Sequence, residues 1–133
     1  PVTAIRQAAD DLNAATDPDP SWSPLIGTPP YPSYAGNIAT IGASAACALQ
    51  LAFRTNDIPV TAVWKQAGGR PEVSHAFAGF WEVADQMYMA RIWSGIHYRF
   101  DQDAGQQVGK STAEFVFANF MNRRSSHWGD WFD

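Results

Sequence analysis

With 133 residues and a formal net charge of -4 at neutral pH, the chain has the size of one domain. It lacks the positive excess that draws proteins to nucleic-acid phosphates or anionic lipid surfaces. Hydrophobic residues make up 46% and aromatic ones 14%, enough burial potential to exclude intrinsic disorder.

The chain opens on Pro1, with no basic stretch followed by an apolar one, so no targeting segment is read there and localisation stays unknown. Residues 1–12 place Ile5, Ala8, Ala9 and Leu12 among good helix formers, which predicts a short amphipathic helix. Residues 13–35 carry prolines at 18, 20, 24, 29, 30 and 32, which remove donors and push preceding residues out of helical geometry. Trp22, Leu25, Ile26, Tyr31 and Tyr34 make this loop too apolar for a free linker. It is expected to pack on the helices and frame a site.

Residues 36–53 are nearly all small or apolar and predict a central helix buried over most of its surface. Its length approaches a membrane span, but its Ala and Gly content gives weak lipid affinity, so no membrane partner is expected. Within it lies the single Cys47, which excludes an intramolecular disulfide and reads as a buried structural thiol.

Val60 to Trp64 reads as extended, Gly68-Gly69-Arg70-Pro71 as a breaker, and Ser74 as the N-cap of a helix over 74–93. Phe77, Phe80, Trp81, Ala84 and Tyr88 fall on one stripe of that helix, and so does Arg91. An inward guanidinium needs a carboxylate or an anionic ligand, because an unpaired buried charge is very costly. Asp101 or Asp103 can cap a last helix over 101–122, in which Gly105 and Gly109 lie one turn apart. Residues 123–133 form a polar tail with Trp128 and Trp131. His75 and His127 read as solvated, and no ligand spacing links the histidines to Cys47, so no metal site is expected.

The segment Ala90-Arg91-Ile92-Trp93-Ser94-Gly95-Ile96-His97-Tyr98-Arg99-Phe100-Asp101 puts a guanidinium, an imidazole and a carboxylate at one helix corner. Arg91 offers a planar fork of donors to a phosphate-like anion. His97 can attack or coordinate the anion's central atom, and Asp101 can orient the ring. This spacing, with Gly95 before the histidine, resembles the third signature of the vanadium-dependent haloperoxidase and type 2 phosphatidic acid phosphatase superfamily. Pro29-Pro30-Tyr31-Pro32-Ser33-Tyr34-Ala35-Gly36-Asn37-Ile38-Ala39-Thr40 resembles the second, where a Pro-rich approach leads to Ser-Gly-His at the start of a buried helix. Pro1-Val2-Thr3-Ala4-Ile5-Arg6 is similar to the stretch that follows the arginine of the first signature. The resemblance runs from Pro1 to about Asn122.

It implies an all-α fold, a truncated helical bundle resembling the C-terminal half of that superfamily's fold. Helices missing from such a bundle leave apolar faces uncovered, so a homodimer or higher homo-oligomer is predicted. It also implies an oxyanion site in which Arg91 and the amides of Gly36 and Asn37 hold a phosphate-like anion or small phosphoester. His97 is then the nucleophile or, with vanadate as cofactor, its axial ligand, and Asp101 supports it. Departures from the pattern bear on activity. Ile38 stands where the superfamily's second histidine transfers protons, which an alkyl side chain cannot do. Gly36 and Asn37 replace Ser and Gly, Ala90 replaces the serine before the arginine, and the cations of the first signature are missing. Phosphate-ester hydrolysis or vanadate-dependent halide oxidation is therefore expected to be impaired. Taken without the resemblance, Arg91, His97 and Asp101 also fit a structural ion pair with a capping aspartate, in a noncatalytic oligomeric module.

Overall fold

The computed structural model describes residues 1–65 and 71–121. The breaker at 68–70, His127 and the Trp-rich tail lie outside them. The fold is mostly helical: α1 (Val2–Arg6), a 3-10 turn (Ala8–Asp10), α2 (Asn37–Phe53), β1 (Val60–Trp64), β2 (Val73–Phe77), α3 (Phe80–Trp93) and α4 (Arg99–Phe120). Among the described residues no helix is long and apolar enough to cross a membrane.

The first helix is shorter than the pattern over 1–12 predicts. It closes at Arg6, and Leu12 is fully exposed with a φ of 60°. Beyond the 3-10 turn, local competition keeps Leu12 out of a helix: the Asp11 carboxylate accepts the Asn13 N–H at 2.8 Å and the Asn13 side chain accepts the Ala15 N–H at 3.1 Å.

Close approach of α2 and α4 organises the rest. The buried face of α2 is made of Ala39, Gly42, Ala43, Ala46 and Cys47, and α4 meets it with Gly105, Gly109 and Ala113. A Cβ on Gly105 would collide with the Gly36 carbonyl and sit 3.1 Å from the Ala39 Cβ. One on Gly109 would collide with the Thr40 carbonyl and sit 2.9 Å from the Ser44 nitrogen. The paired glycines are therefore required, because the obstructing atoms are backbone. This packing also corrects the expectation that α2 is buried over most of its surface: Ile41, Leu49 and Phe53 are exposed, and only the small-residue face is covered. Cys47 lies in that face, where burial, with the nearby Glu114, pushes its thiol up.

The helix predicted over 74–93 starts later. Val73 to Phe77 pairs antiparallel with β1, from Val60 opposite Phe77 to Trp64 opposite Val73, so Ser74 lies in a strand and is no N-cap. β-branched and aromatic residues at both ends of each strand favour this pairing over helix. α3 takes Gly79 as N-cap instead, and the Asn56 Oδ1 accepts the Trp81 N–H at 2.9 Å. Phe77 thereby leaves the helical stripe, while Phe80, Ala84 and Arg91 stay on it, since eleven residues at about 100° each return close to the starting direction. Phe80, Ala84 and Ala46 form the core where α3 meets α2, with Ile58, Val60 and Trp81 against it.

Gly109→Ala is expected to destabilise the fold by roughly 2–3 kcal/mol in urea unfolding, because two helix backbones must separate to admit one methyl. An unchanged midpoint would contradict the close-packing account.

Candidate functional site

The Pro-rich loop between α1 and α2 is tied at Trp22 to α1 and is bound from Trp22 to Ser33 to the corner between α3 and α4. The Arg6 Nε donates to the Trp22 carbonyl at 2.8 Å, and the Leu25 N–H donates to the Ser94 carbonyl at 3.0 Å. The Trp22 ring lies against Gly95, whose φ of +73° needs a glycine and whose missing Cβ makes room for the ring. Two residues further along, Tyr31 and Ser33 reach the polar groups of the corner. The Arg91 Nη2 donates to the Tyr31 hydroxyl at 2.5 Å. The Ser33 hydroxyl donates to the Asp101 Oδ2 at 2.5 Å and lies 3.3 Å from the His97 Nδ1. Alternate residues of one loop thus hold both Arg91 and His97 at the same corner.

His97 sits two residues before α4 and is 5% exposed, and Asp101, in the first turn of α4, is 1% exposed. Asp101 is not the N-cap that the sequence suggests. The helix begins at Arg99 behind Tyr98, and the Asp101 Oδ2 reaches back to accept the Tyr98 N–H at 2.9 Å, the reciprocal half of a capping box. The same oxygen lies 3.4 Å from the His97 Nδ1. Asp103, the other capping candidate, is exposed and accepts the Tyr88 hydroxyl at 2.8 Å.

These contacts fix the chemistry of the ring. Burial pushes the Asp101 carboxyl up, but the hydrogen bonds from Ser33, the Tyr98 amide and His97 outweigh it and hold the group below its ordinary value. The carboxylate can only accept, and the single Ser33 proton is spent on it. In the neutral ring the Nδ1 must therefore carry the proton. The His97 Nε2 is left with its lone pair, and it is buried without a partner. The Arg91 Nε is likewise buried without a partner. A buried lone pair and a buried guanidinium N–H, both without partners, suit bonding to an electrophilic centre that carries anionic oxygens.

Two helix N-termini meet here. The Gly36 N–H, at the N-cap of α2, donates to the Asp101 carbonyl at 2.7 Å. That bond changes the expectation for Gly36, since its amide is engaged inside the chain rather than turned to an anion. Asn37 is exposed, and its side chain accepts the neighbouring Ile38 N–H at 2.8 Å. His75 lies on β2, exposed, with its ring 4.6 Å from that of Phe77 and apart from this corner. Sequence reasoning gave no role to Ser33, Tyr31 or Gln102. Ser33 lies 64 and 68 residues from its partners, and no local spacing signals such a contact. Gln102 is fully buried beside Asp101, and neither its Nε2 nor its Oε1 has a partner.

Fold and site together define a helical-bundle domain with an inward histidine held by a carboxylate at converging helix ends. The chain belongs to the family described as the VCPO second helical-bundle domain, whose model matches residues 1–126. It is similar to the crystal structure of the first bacterial vanadium-dependent iodoperoxidase, with 28% identity and a TM-score of 0.68, over 87% of this chain and 25% of that one. The holo-type bacterial vanadium-dependent chloroperoxidase shares the fold at 13% identity and a TM-score of 0.63, over 74% of this chain and 23% of that one. The apo-type chloroperoxidase does so at 20% identity and a TM-score of 0.56, over 71% and 23%. The chain thus spans about a quarter of the length of these solved structures. No curated protein sequence matches it.

The lowered Asp101 value sets a pH dependence. A carboxyl whose folded value is depressed adds stability that is fully present above the unfolded value, about 3.9, and is lost as pH falls through the folded one. The stability advantage of the native chain over Asp101→Asn is expected to hold at neutral pH and to shrink on acidification below about pH 4. A difference that grows on acidification would contradict the assignment.

Proposed function

We propose that this domain contributes a tetrahedral-oxyanion site, for phosphate or vanadate, in which His97 meets the central atom and Arg91 donates to its oxygens. The observation that carries the reading is the His97 ring: Nδ1 held on the Asp101 and Ser33 side, Nε2 buried and unpartnered. Arg91 supports it, with a buried Nε that lacks a partner and an Nη2 placed by Tyr31. Convergence of the α2 and α4 N-termini adds favourable potential for an anion. The Asn37 amide is the helix-start donor that fits this role, while the Gly36 amide supports it indirectly through Asp101.

The donor set fits vanadate. His97 would ligate it through Nε2 and Arg91 would balance its charge, and the bound group supplies a Lewis-acidic centre. The proton-transfer side is weaker. Ile38, at the second position of α2, offers no proton. Halide oxidation or phosphoester hydrolysis by this chain is therefore slow.

Calorimetric titration with phosphate and with vanadate is expected to give saturable heat that His97→Ala and Arg91→Ala each weaken by about tenfold or more. Absence of heat, or heat unchanged in both variants, would sink the reading. Turnover of an aryl phosphate, or of bromide with peroxide and vanadate, is expected to stay near background. Robust turnover that His97→Ala abolishes would contradict the proposed impairment.

A second reading, an oligomeric interaction module, is favoured by one observation. A cavity of ≈ 380 Å³ between α2 and α3 is lined by Ile41, Leu49, Val60, Phe80, Val83 and Met87, and Ile41 and Leu49 are among its exposed residues. Apolar surface of this kind is ordinarily covered. In this reading a second copy covers it, and light scattering is expected to report a dimer or larger species. A monodisperse monomer would contradict it.

A further inference from the structure

Gln102 is 0% exposed, yet neither its Nε2 nor its Oε1 has a hydrogen-bond partner. A carboxamide brings two donors and two acceptor lone pairs, and burying such groups unpaired is strongly unfavourable. A hydrocarbon side chain of similar volume would fill the space without that penalty, so the polar group asks for a polar guest.

Its position says where the guest sits. An ideal Cβ on Gly36 would lie 2.8 Å from the Gln102 Cδ, 3.0 Å from Oε1 and in collision with Nε2. The carboxamide therefore occupies the volume that a side chain at position 36 would take, directly at the N-cap of α2. Gln102 also follows Asp101 in the first turn of α4, so the amide lies where both helix N-termini meet and next to the residue that holds His97. Three side chains with orphaned polar atoms, the Arg91 guanidinium, the His97 imidazole and the Gln102 carboxamide, belong to this one corner.

We infer that Gln102 is a specificity-determining contact of the anion site and that the site takes a protonated tetrahedral oxyanion. This rests on the oxyanion reading above. The Gln102 Nε2 donates to one oxygen of the anion, and Oε1 accepts from a hydroxyl on the same anion. Hydrogenphosphate has both kinds of oxygen at neutral pH. Sulfate has no proton to give, so its oxygen lone pairs would face the lone pairs of Oε1, and that mismatch discriminates against it. An arginine or a helix end alone draws no such distinction, because each only donates.

The test is calorimetric titration of the full chain at neutral pH with inorganic phosphate and, separately, inorganic sulfate. The native chain is expected to bind phosphate about tenfold or more tighter than sulfate. In Gln102→Met, of similar shape but without the amide, phosphate affinity falls until the two anions bind alike, while the melting temperature does not drop. Should Gln102→Met fail to fold, Gln102→Glu keeps the side-chain length and is expected to weaken phosphate binding by charge repulsion. Equal binding of the two anions by the native chain would overturn the inference, as would an unchanged preference in the folded variant. His97→Ala separates the two claims. If it abolishes phosphate binding while Gln102→Met leaves the preference intact, the oxyanion reading stands and the role of Gln102 falls. If the native chain binds no phosphate, the role of Gln102 falls, and if it binds no vanadate either, the oxyanion reading falls with it.

Discussion

Backbone contact between the start of α2 and the start of α4 is the constraint on which the structure depends. Gly105 and Gly109 let α4 lie against the α2 backbone, and the Gly36 amide donates to the Asp101 carbonyl at 2.7 Å. Each part requires the other. Without the glycines the helices would stand apart, and without the closing bond the two N-termini would not meet. Because Asp101 is both the acceptor of that bond and the group that holds His97, the packing of the bundle and the aim of the imidazole are one arrangement. The Pro-rich loop completes it from the other side, with Tyr31 on Arg91 and Ser33 on Asp101.

Much of the fold was legible in the sequence because helices announce themselves locally. The small-residue run of α2, the apolar stripe of α3 and the paired glycines of α4 are all readable from spacing. What failed has a common cause in competition between local preference and partners elsewhere. Val73 to Phe77 follows a helical stripe into α3, yet β1 lies ready to pair with it and the strand wins. Leu12 fits an amphipathic pattern, but Asp11 and Asn13 bind nearby amides and hold it in a turn beyond the helix.

The site was legible in part. Arg91, His97 and Asp101 lie within eleven residues and were visible as a spacing. The sequence offers Asp101 as a cap and as the group that orients His97; the structure places it in the first turn of α4, where one oxygen accepts from Tyr98 and Ser33 and faces His97. Ser33 and Gln102 were out of reach of any sequence pattern: one is a long-range contact, and the other becomes conspicuous only once burial shows that its amide has no partner. The resemblance implies the Gly36 amide as an anion donor, and the structure spends that donor on the neighbouring helix instead. A helix N-terminus is an anion site only where its amides stay free.

The central claim is that the His97 ring is protonated on Nδ1 and presents a bare Nε2 to a guest. Nitrogen NMR of the 15N-labelled imidazole, taken at a pH where the ring is neutral, tests it most directly. The account predicts an Nδ1–H tautomer whose Nε2 resonance moves on addition of vanadate. A ring protonated on Nε2, or an Nε2 resonance indifferent to vanadate, would contradict it.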